Sequence, residues 1–376
     1  MSPASRVLVT GAKGFIGTNL VLALRRRPGV EVAEADLGTP DEAVDRALEA
    51  CDVVYHLAGV NRPEKDADFE EGNAGSLRDV LGRLERGGRT PLIVLSSSTQ
   101  AILDNPYGRS KKKAEDLLRE FAAKRGAAAR IYRLPGVFGK FCRPDYNSVV
   151  ATFCHNIARG LPIQVADPDR EIEIVHVDDV VEAFLAELGG GEKKAQATSG
   201  EVRPVFRIKL GTLAEKLRSF RAARETLAQP GLEDPLDRRL YGTYMSYLPN
   251  DSLAYDLPRK TDPRGALAEF LKLGGHGQIF LSRTAPGVTR GNHYHDLKVE
   301  KFAVVEGEAV IRFRNVASGE TAEYPVSGTQ FRVVDIPPGW THAIENAGPG
   351  ELVVLFWSSE PFDPQDPDTY AAEVKA

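Results

Sequence analysis

The chain has 376 residues, above the roughly 100–200 usual for one domain, so two domains are expected. Its 48 Lys and Arg against 53 Asp and Glu leave a net charge of −5, which argues against a nucleic-acid partner. With 42% hydrophobic and 27% charged residues, it has enough apolar material for a core, and disorder is excluded as its main state. No apolar run reaches the length of a membrane span. Met1-Ser-Pro-Ala-Ser-Arg6 leads straight into a strand, which leaves no room for a signal peptide. Three scattered cysteines suit neither a disulfide framework nor a cysteine zinc site. A cytoplasmic protein with no membrane partner is expected.

In chain order, Arg6–Thr10 reads as a strand and Gly14–Arg27 as a helix. Asp52–Leu57, Leu92–Ser96 and Ala128–Arg133 are further strands, alternating with helices at Ala67–Glu85 and Tyr107–Lys124. This alternation predicts an α/β Rossmann-like parallel sheet, covered on both faces. The run 189–204 lacks periodicity and reads as a surface loop, followed by helices near 211–228 and 234–246. From about 256 the rhythm changes to short strands every 8–12 residues or so, an antiparallel pattern. Those strands are Gln278–Arg283, Lys301–Val305, Ala309–Asn315, Thr321–Pro325, Phe331–Ile336, Ala343–Glu345 and Glu351–Trp357. The boundary is placed near Leu248-Pro249-Asn250, giving domains 1–248 and 249–376. There is no internal repeat.

Gly11-Ala-Lys13-Gly14-Phe15-Ile16-Gly17 lies between the first strand and the first helix. Gly11 permits a tight turn, Gly14 lets backbone approach a pyrophosphate at the helix N-terminus, and Gly17 allows close helix–strand packing. A glycine-rich turn without a ligand is the alternative. The Gly-x-x-Gly-x-x-Gly spacing resembles the extended short-chain dehydrogenase/reductase family. His56-Leu57-Ala58-Gly59 is similar to that family's turn beside the cofactor, Ser96-Ser97-Ser98 ends the next strand, and Tyr107-Gly-Arg-Ser-Lys111 matches Tyr-x-x-x-Lys. Tyr107 and Lys111 share one helix face, so the ammonium favours phenol ionisation. The resemblance implies that Ser98, Tyr107 and Lys111 are catalytic. It also implies a dinucleotide on Gly11, Lys13, Gly14, Phe15, Ile16, Gly17, Leu57, Ala58, Gly59, Tyr107 and Lys111. Asp36, 19 residues after Gly17, is the candidate for the adenosine ribose. The segment from Val32 to Ala50 reads as too short for the usual strand-helix-strand, so an adenine-side role for Asp36 stays open.

Further on, His293-Tyr-His295 is followed by Glu300 and Gly307, and Pro337-Pro-Gly339-Trp-Thr-His342 by Asn346. Alternate residues on a strand point the same way, so His293 and His295 share a face. The spacing resembles the two cupin motifs and implies an all-β jelly-roll barrel. Phe331 stands where the second motif has a glycine, with Gly328 nearby, and Asp296 stands where a third histidine is common. His293, His295, Glu300 and His342 suit a divalent metal, zinc first, with iron, nickel or manganese open. A metal-free cupin is the alternative. Lys298 and Lys301 flank Glu300 and are candidates for holding an enolate, or are simply solvated. His155, His176 and His276 fall outside the pattern and read as structural.

The pairing of both modules, with Arg133-Leu-Pro-Gly-Val-Phe-Gly139, Asn61-Arg-Pro63 and the ending Phe362-Asp-Pro364 and Pro367-Asp-Thr-Tyr370, resembles the CapF-type bifunctional nucleotide-sugar epimerase/reductases over essentially the whole chain. The resemblance implies that the cupin epimerises carbon 3 of a UDP-2-acetamido-2,6-dideoxy-4-ketohexose. The reductase then reduces the 4-ketone with NADPH, giving UDP-2-acetamido-2,6-dideoxy-L-talose, a precursor of UDP-N-acetyl-L-fucosamine for capsule or O-antigen. It implies a homodimer. Two other readings stay open: a TDP-sugar 4-ketoreductase whose cupin is purely structural, and a non-enzymatic dinucleotide sensor.

Overall fold

The computed structural model of the chain describes residues 5–63, 65–189 and 195–375. It separates into two units: one runs to Arg218 and resumes over Asp234–Pro249, and the other comprises Ser219–Glu233 and the chain from Asn250 onward.

The first unit is a parallel sheet covered by helices on both faces. Its strands are β1 (Ser5–Thr10), β2 (Val30–Ala35), β3 (Val53–His56), β4 (Leu92–Ser98), β5 (Ala129–Leu134) and β8 (Ala197–Gly200). The spatial order is β2-β1-β3-β4-β5-β8, and every pairing is parallel. Alternation along β1 and β4 builds two cores. Val7, Val9 and Val94 pack with Leu20 and Leu24 of α1 (Phe15–Arg25) and with Phe184 of the Val177–Ala186 helix. Leu8, Ile93 and Leu95 pack on the other face with Leu77, Leu81 and Leu118. Each fully buried leucine contributes about 1.5–3 kcal/mol relative to exposure.

β1 lies between β2 and β3, so the chain switches direction across the sheet at the carboxyl end of β1. Open α/β sheets bind ligands in that crevice. The segment read as too short for a strand-helix-strand nevertheless folds as β2, α2 (Asp41–Ala50) and β3, because α2 needs only ten residues. A second correction concerns 189–204. Residues 190–194 lie outside the described residues, but Ala197–Gly200 forms edge strand β8, held by pairing with β5 rather than by an apolar pattern.

The predicted Ala67–Glu85 helix is α3, spanning Ala67 to Arg86 with a π-helical stretch at Glu70–Gly75. Next comes α4, Pro106–Arg125. A small separate sheet, which the hydrophobic pattern did not signal, joins β6 (Gly136–Phe138), β7 (Glu171–His176) and β9 (Phe206–Lys209).

The second unit holds two antiparallel sheets. One contains β10 (Arg259–Asp262), β11 (Gly265–Lys272), β12 (Gln278–Thr284), β19 (Leu352–Ser358), β14 (Glu300–Glu306) and β17 (Val333–Ile336) in that spatial order. The other runs β16 (Thr321–Ser327), β15 (Glu308–Asn315), β18 (Trp340–Asn346), β13 (Thr289–Tyr294), β20 (Tyr370–Ala371). Phe302, Val304, Ile311, Phe313, Ile336, Ile344 and Val354 form its core. Gly328, rather than position 331, meets the tight approach after β16: a Cβ there would stand 2.5 Å from the Val305 carbonyl, whereas Phe331 is fully exposed.

Candidate functional site

In the first unit the glycine turn closes at the carboxyl end of β1. Gly11 has φ +67, and a Cβ on it would lie 2.7 Å from the amide nitrogen of Ala58. A Cβ on Gly17 would lie 2.1 Å from the Gly11 carbonyl. These contacts press α1, the turn and the Leu57–Gly59 segment together. No side chain caps the start of α1 at Gly14, so its first N–H groups are available to an anion. Lys13 and Gly14 are exposed there, and Phe15 and Ile16 are half-buried behind them. Asp36 follows β2 directly; its carboxylate accepts the Lys13 N–H at 2.7 Å and the Leu37 N–H at 2.9 Å. This crevice fits a dinucleotide in the donors and close backbone packing it offers.

The start of α4 fixes Tyr107. Asn105 caps the helix by accepting the Gly108 N–H at 2.7 Å, Pro106 occupies its first turn, and Gly126 ends it at φ +62. Tyr107 packs against Phe69, with ring centroids 5.7 Å apart. Burial pushes the phenol above its ordinary pKa, and a hydrogen bond with Ser98 opposes that rise. Lys111, one turn on, has its Nζ 5.8 Å from the Tyr107 ring centroid and donates to the Ser96 carbonyl at 3.3 Å. Burial pulls its pKa down to about 8.

Among the serines ending β4, Ser98 faces Tyr107 and accepts the Gln100 N–H at 3.1 Å, whereas Ser97 donates at 2.7 Å to fully buried Glu115. Glu115 also takes a two-point contact from Arg133 at 2.8 and 2.6 Å. The structure thus brings Ser98, Tyr107, Lys111 and Gly59 together.

Sequence reasoning missed Asn73. It lies in the π-helical stretch and donates to Ser110 Oγ at 3.0 Å and to the Val60 carbonyl at 3.0 Å. A π-bulge inside a helix often marks a functional position, but hydrophobic periodicity does not reveal one.

In the second unit, β13 carries His293, the end of β13 leads to His295, β14 opens with Glu300, and β18 carries His342. A bulge between Gly291 and His293, with Asn292 at φ +57, sets the local register. One ligand atom from each of the four residues lies within 4.8 Å of the others. Nε2 of His295 and of His342 stand 3.4 and 3.3 Å from Glu300 Oε2. Both nitrogens are buried without a hydrogen-bond partner. Orphaned imidazole nitrogens converging on a carboxylate fit a cation.

Burial pushes His293 down to about 4, aided by the neighbouring His342. For His295, burial acts downward but Glu300 and the Asp368 carbonyl outweigh it, so its pKa rises. Burial raises Glu300, yet His295 and His342 hold it down to about 2. The site is therefore set with an ionised carboxylate and a neutral His293.

A cavity of about 390 Å³ opens onto these residues, walled by Phe280, Phe302, Ile344 and Phe356. Lys298 lines it and is buried, but Lys301 points the other way, exposed and paired with Asp335. Alternation along β14 explains this: position 300 faces in and 301 out. Asp296 is exposed and outside the ligand cluster.

Comparison with known proteins follows the same division. Residues 7–197 match the NAD dependent epimerase/dehydratase family, and 260–370 match the polysaccharide biosynthesis C-terminal domain. The UDP-2-acetamido-2,6-beta-L-arabino-hexul-4-ose reductase of Pseudomonas aeruginosa is 44% identical over 369 residues, 98% of this chain and 99% of that one. The crystal structure of capsular polysaccharide assembling protein CapF from Staphylococcus aureus superposes with a TM-score of 0.90 at 44% identity, over 98% of this chain and 100% of that one. CapF with the inhibitor 3-isopropenyl-tropolone gives 0.86 at 40% identity, over 98% and 100%.

Proposed function

The chain belongs to the CapF-like family, with an NAD-dependent epimerase/dehydratase domain followed by a polysaccharide biosynthesis C-terminal domain, and we propose that it is a bifunctional nucleotide-sugar epimerase and reductase. Reduction is assigned to domain 1–248 and epimerisation to domain 249–376. The observation that carries this reading is that one chain builds two separate centres: Ser98–Tyr107–Lys111, and the His293–His295–Glu300–His342 cluster.

In the reductase, NADPH held in the crevice at the glycine turn would be the source of the hydride added at carbon 4 of the sugar. Tyr107 gives its proton to the developing alkoxide, and Ser98 hydrogen-bonds the same oxygen. Lys111 holds positive charge beneath the phenol. Glycines 11, 14 and 17, with Lys13, Phe15, Ile16, Asp36 and Leu57–Gly59, form the cofactor cradle.

In the cupin, His293, His295, Glu300 and His342 would hold zinc, a Lewis acid able to polarise the ketone and stabilise enolate charge. Phe280, Phe302 and Phe356 give the cavity an apolar wall beside these residues. A proton beside a ketone is acidic only while the ketone survives. Epimerisation at carbon 3 therefore precedes reduction, which fixes the new configuration. The substrate in this reading is a UDP-2-acetamido-2,6-dideoxy-4-ketohexose and the product UDP-2-acetamido-2,6-dideoxy-L-talose; the protein is a cytoplasmic homodimer.

The P. aeruginosa relative, a reductase of a UDP-linked hexulose, supports a UDP-linked substrate over a TDP-linked one. Mass spectrometry of products from a panel of UDP- and TDP-4-ketohexoses tests it. A mass gain of two with UDP substrates is expected, and turnover confined to TDP substrates would contradict it.

A further inference from the structure

The C-terminal segment is tied to β13, which carries His293, and to the turn after it, which carries His295. The Asp368 carboxylate accepts three successive backbone N–H groups: Asp296 at 2.9 Å, Leu297 at 3.0 Å and Lys298 at 2.8 Å. Converging N–H groups of this kind make a strong seat for a carboxylate. The Asp368 backbone carbonyl receives Nδ1 of His295. Next to it, the Pro367 carbonyl accepts Nζ of buried Lys298 at 2.7 Å. Tyr370 and Ala371 then pair with Tyr294 and His293. Asp368 itself sits at φ +40, in the left-handed region that side-chain-bearing residues seldom adopt. Such a conformation persists only when its surroundings hold it.

We propose that Asp368 is a positioning residue for the metal set, acting through His295. A carbonyl can only accept, so the Asp368 carbonyl fixes the His295 tautomer with its proton on Nδ1. Nε2, buried and without a hydrogen-bond partner, is then left free to ligate. The carboxylate is bonded to backbone amides. Its three amide contacts hold the left-handed turn that aims the carbonyl, so its loss releases the carbonyl and lets the imidazole rotate. This inference rests on the reading of the four residues as ligands.

The test uses the full-length chain, wild type beside Asp368→Ala and Asp368→Asn. Asparagine tolerates the left-handed turn but keeps only one acceptor oxygen. Zinc affinity is measured by competition with a chromophoric chelator, and site geometry by the visible absorption of the cobalt(II)-substituted protein. Outer partners of metal-bound histidines are worth roughly 10- to 100-fold in affinity. A loss on that scale is expected for Asp368→Ala, with a smaller loss for Asp368→Asn, altered cobalt bands in both and unchanged NADPH binding. If the alanine variant does not fold, the asparagine variant decides by the same two readouts. Wild-type affinity with an unchanged cobalt spectrum would overturn the role of Asp368. A wild-type chain that takes up neither ion would overturn the ligand set itself, and this proposal with it.

Discussion

Gly59 and Lys111 are packed so closely that a Cβ on Gly59 would stand 3.2 Å from the lysine Nζ and 2.6 Å from Asn73 Oδ1. Gly59→Ala must therefore displace Asn73, Lys111 or the turn itself. Misplacement of catalytic groups by about 1 Å can cost on the order of 100-fold. A 10- to 100-fold fall in NADPH oxidation is expected by that reasoning, with metal content unchanged. Steady-state kinetics and metal analysis of the purified variant check both.

Tyr107→Phe removes the proton donor while leaving the ring to pack against Phe69. General acid–base groups contribute roughly 100- to 10,000-fold. The rate of NADPH oxidation should drop on that scale, with NADPH binding, followed by fluorescence, nearly unchanged. Full activity would remove Tyr107 from its assigned role.

His56 ties acid stability to the first unit. It is fully buried, with Nδ1 2.9 Å from Thr10 Oγ1 and Nε2 3.4 Å from Ser76 Oγ. Burial pushes it down to about 3, and nearby Lys111 adds to the shift. Below about pH 6.5 the unfolded chain takes up a proton that the folded chain refuses. The contribution is thus complete above pH 6.5 and is lost as pH falls toward 3. By pH 5 this amounts to roughly 2 kcal/mol. Urea midpoints at pH 7 and pH 5 should fall together more steeply in wild type than in His56→Gln, and equal slopes would contradict this.

Cofactor choice is tested by initial rates with NADPH and NADH at equal concentration. The faster rate is expected with NADPH. Equal or faster turnover with NADH would mean that Asp36, placed at the end of β2 beside the glycine turn, selects against a ribose phosphate.

Legibility in the sequence tracked how local each feature is. The glycine turn, Tyr107 with Lys111, and His293 with His295 were readable because each group lies within a few residues of chain, on one turn, one helix, or one strand and its end. Ser98 was harder, since its neighbour Ser97 differs only in facing Glu115. Strand β8 and the exposed, charged β10 escaped because backbone pairing, not apolar alternation, makes them strands. Asn73 escaped because a π-helical stretch breaks the helical period. The role of Asp368 depends on contacts more than 70 residues away in sequence, which no spacing records.

The central claim is that one chain houses two separable chemistries, and deuterium uptake from solvent at carbon 3 tests it most directly. Wild type, Tyr107→Phe and His293→Asn are incubated with the 4-keto sugar in deuterated water. The account predicts uptake in Tyr107→Phe and none in His293→Asn. The histidine variant should still reduce a 4-keto sugar that already has the product's configuration at carbon 3. Uptake that is lost with Tyr107 and survives loss of His293 would contradict the account, placing epimerisation in the reductase and leaving the cupin as a scaffold.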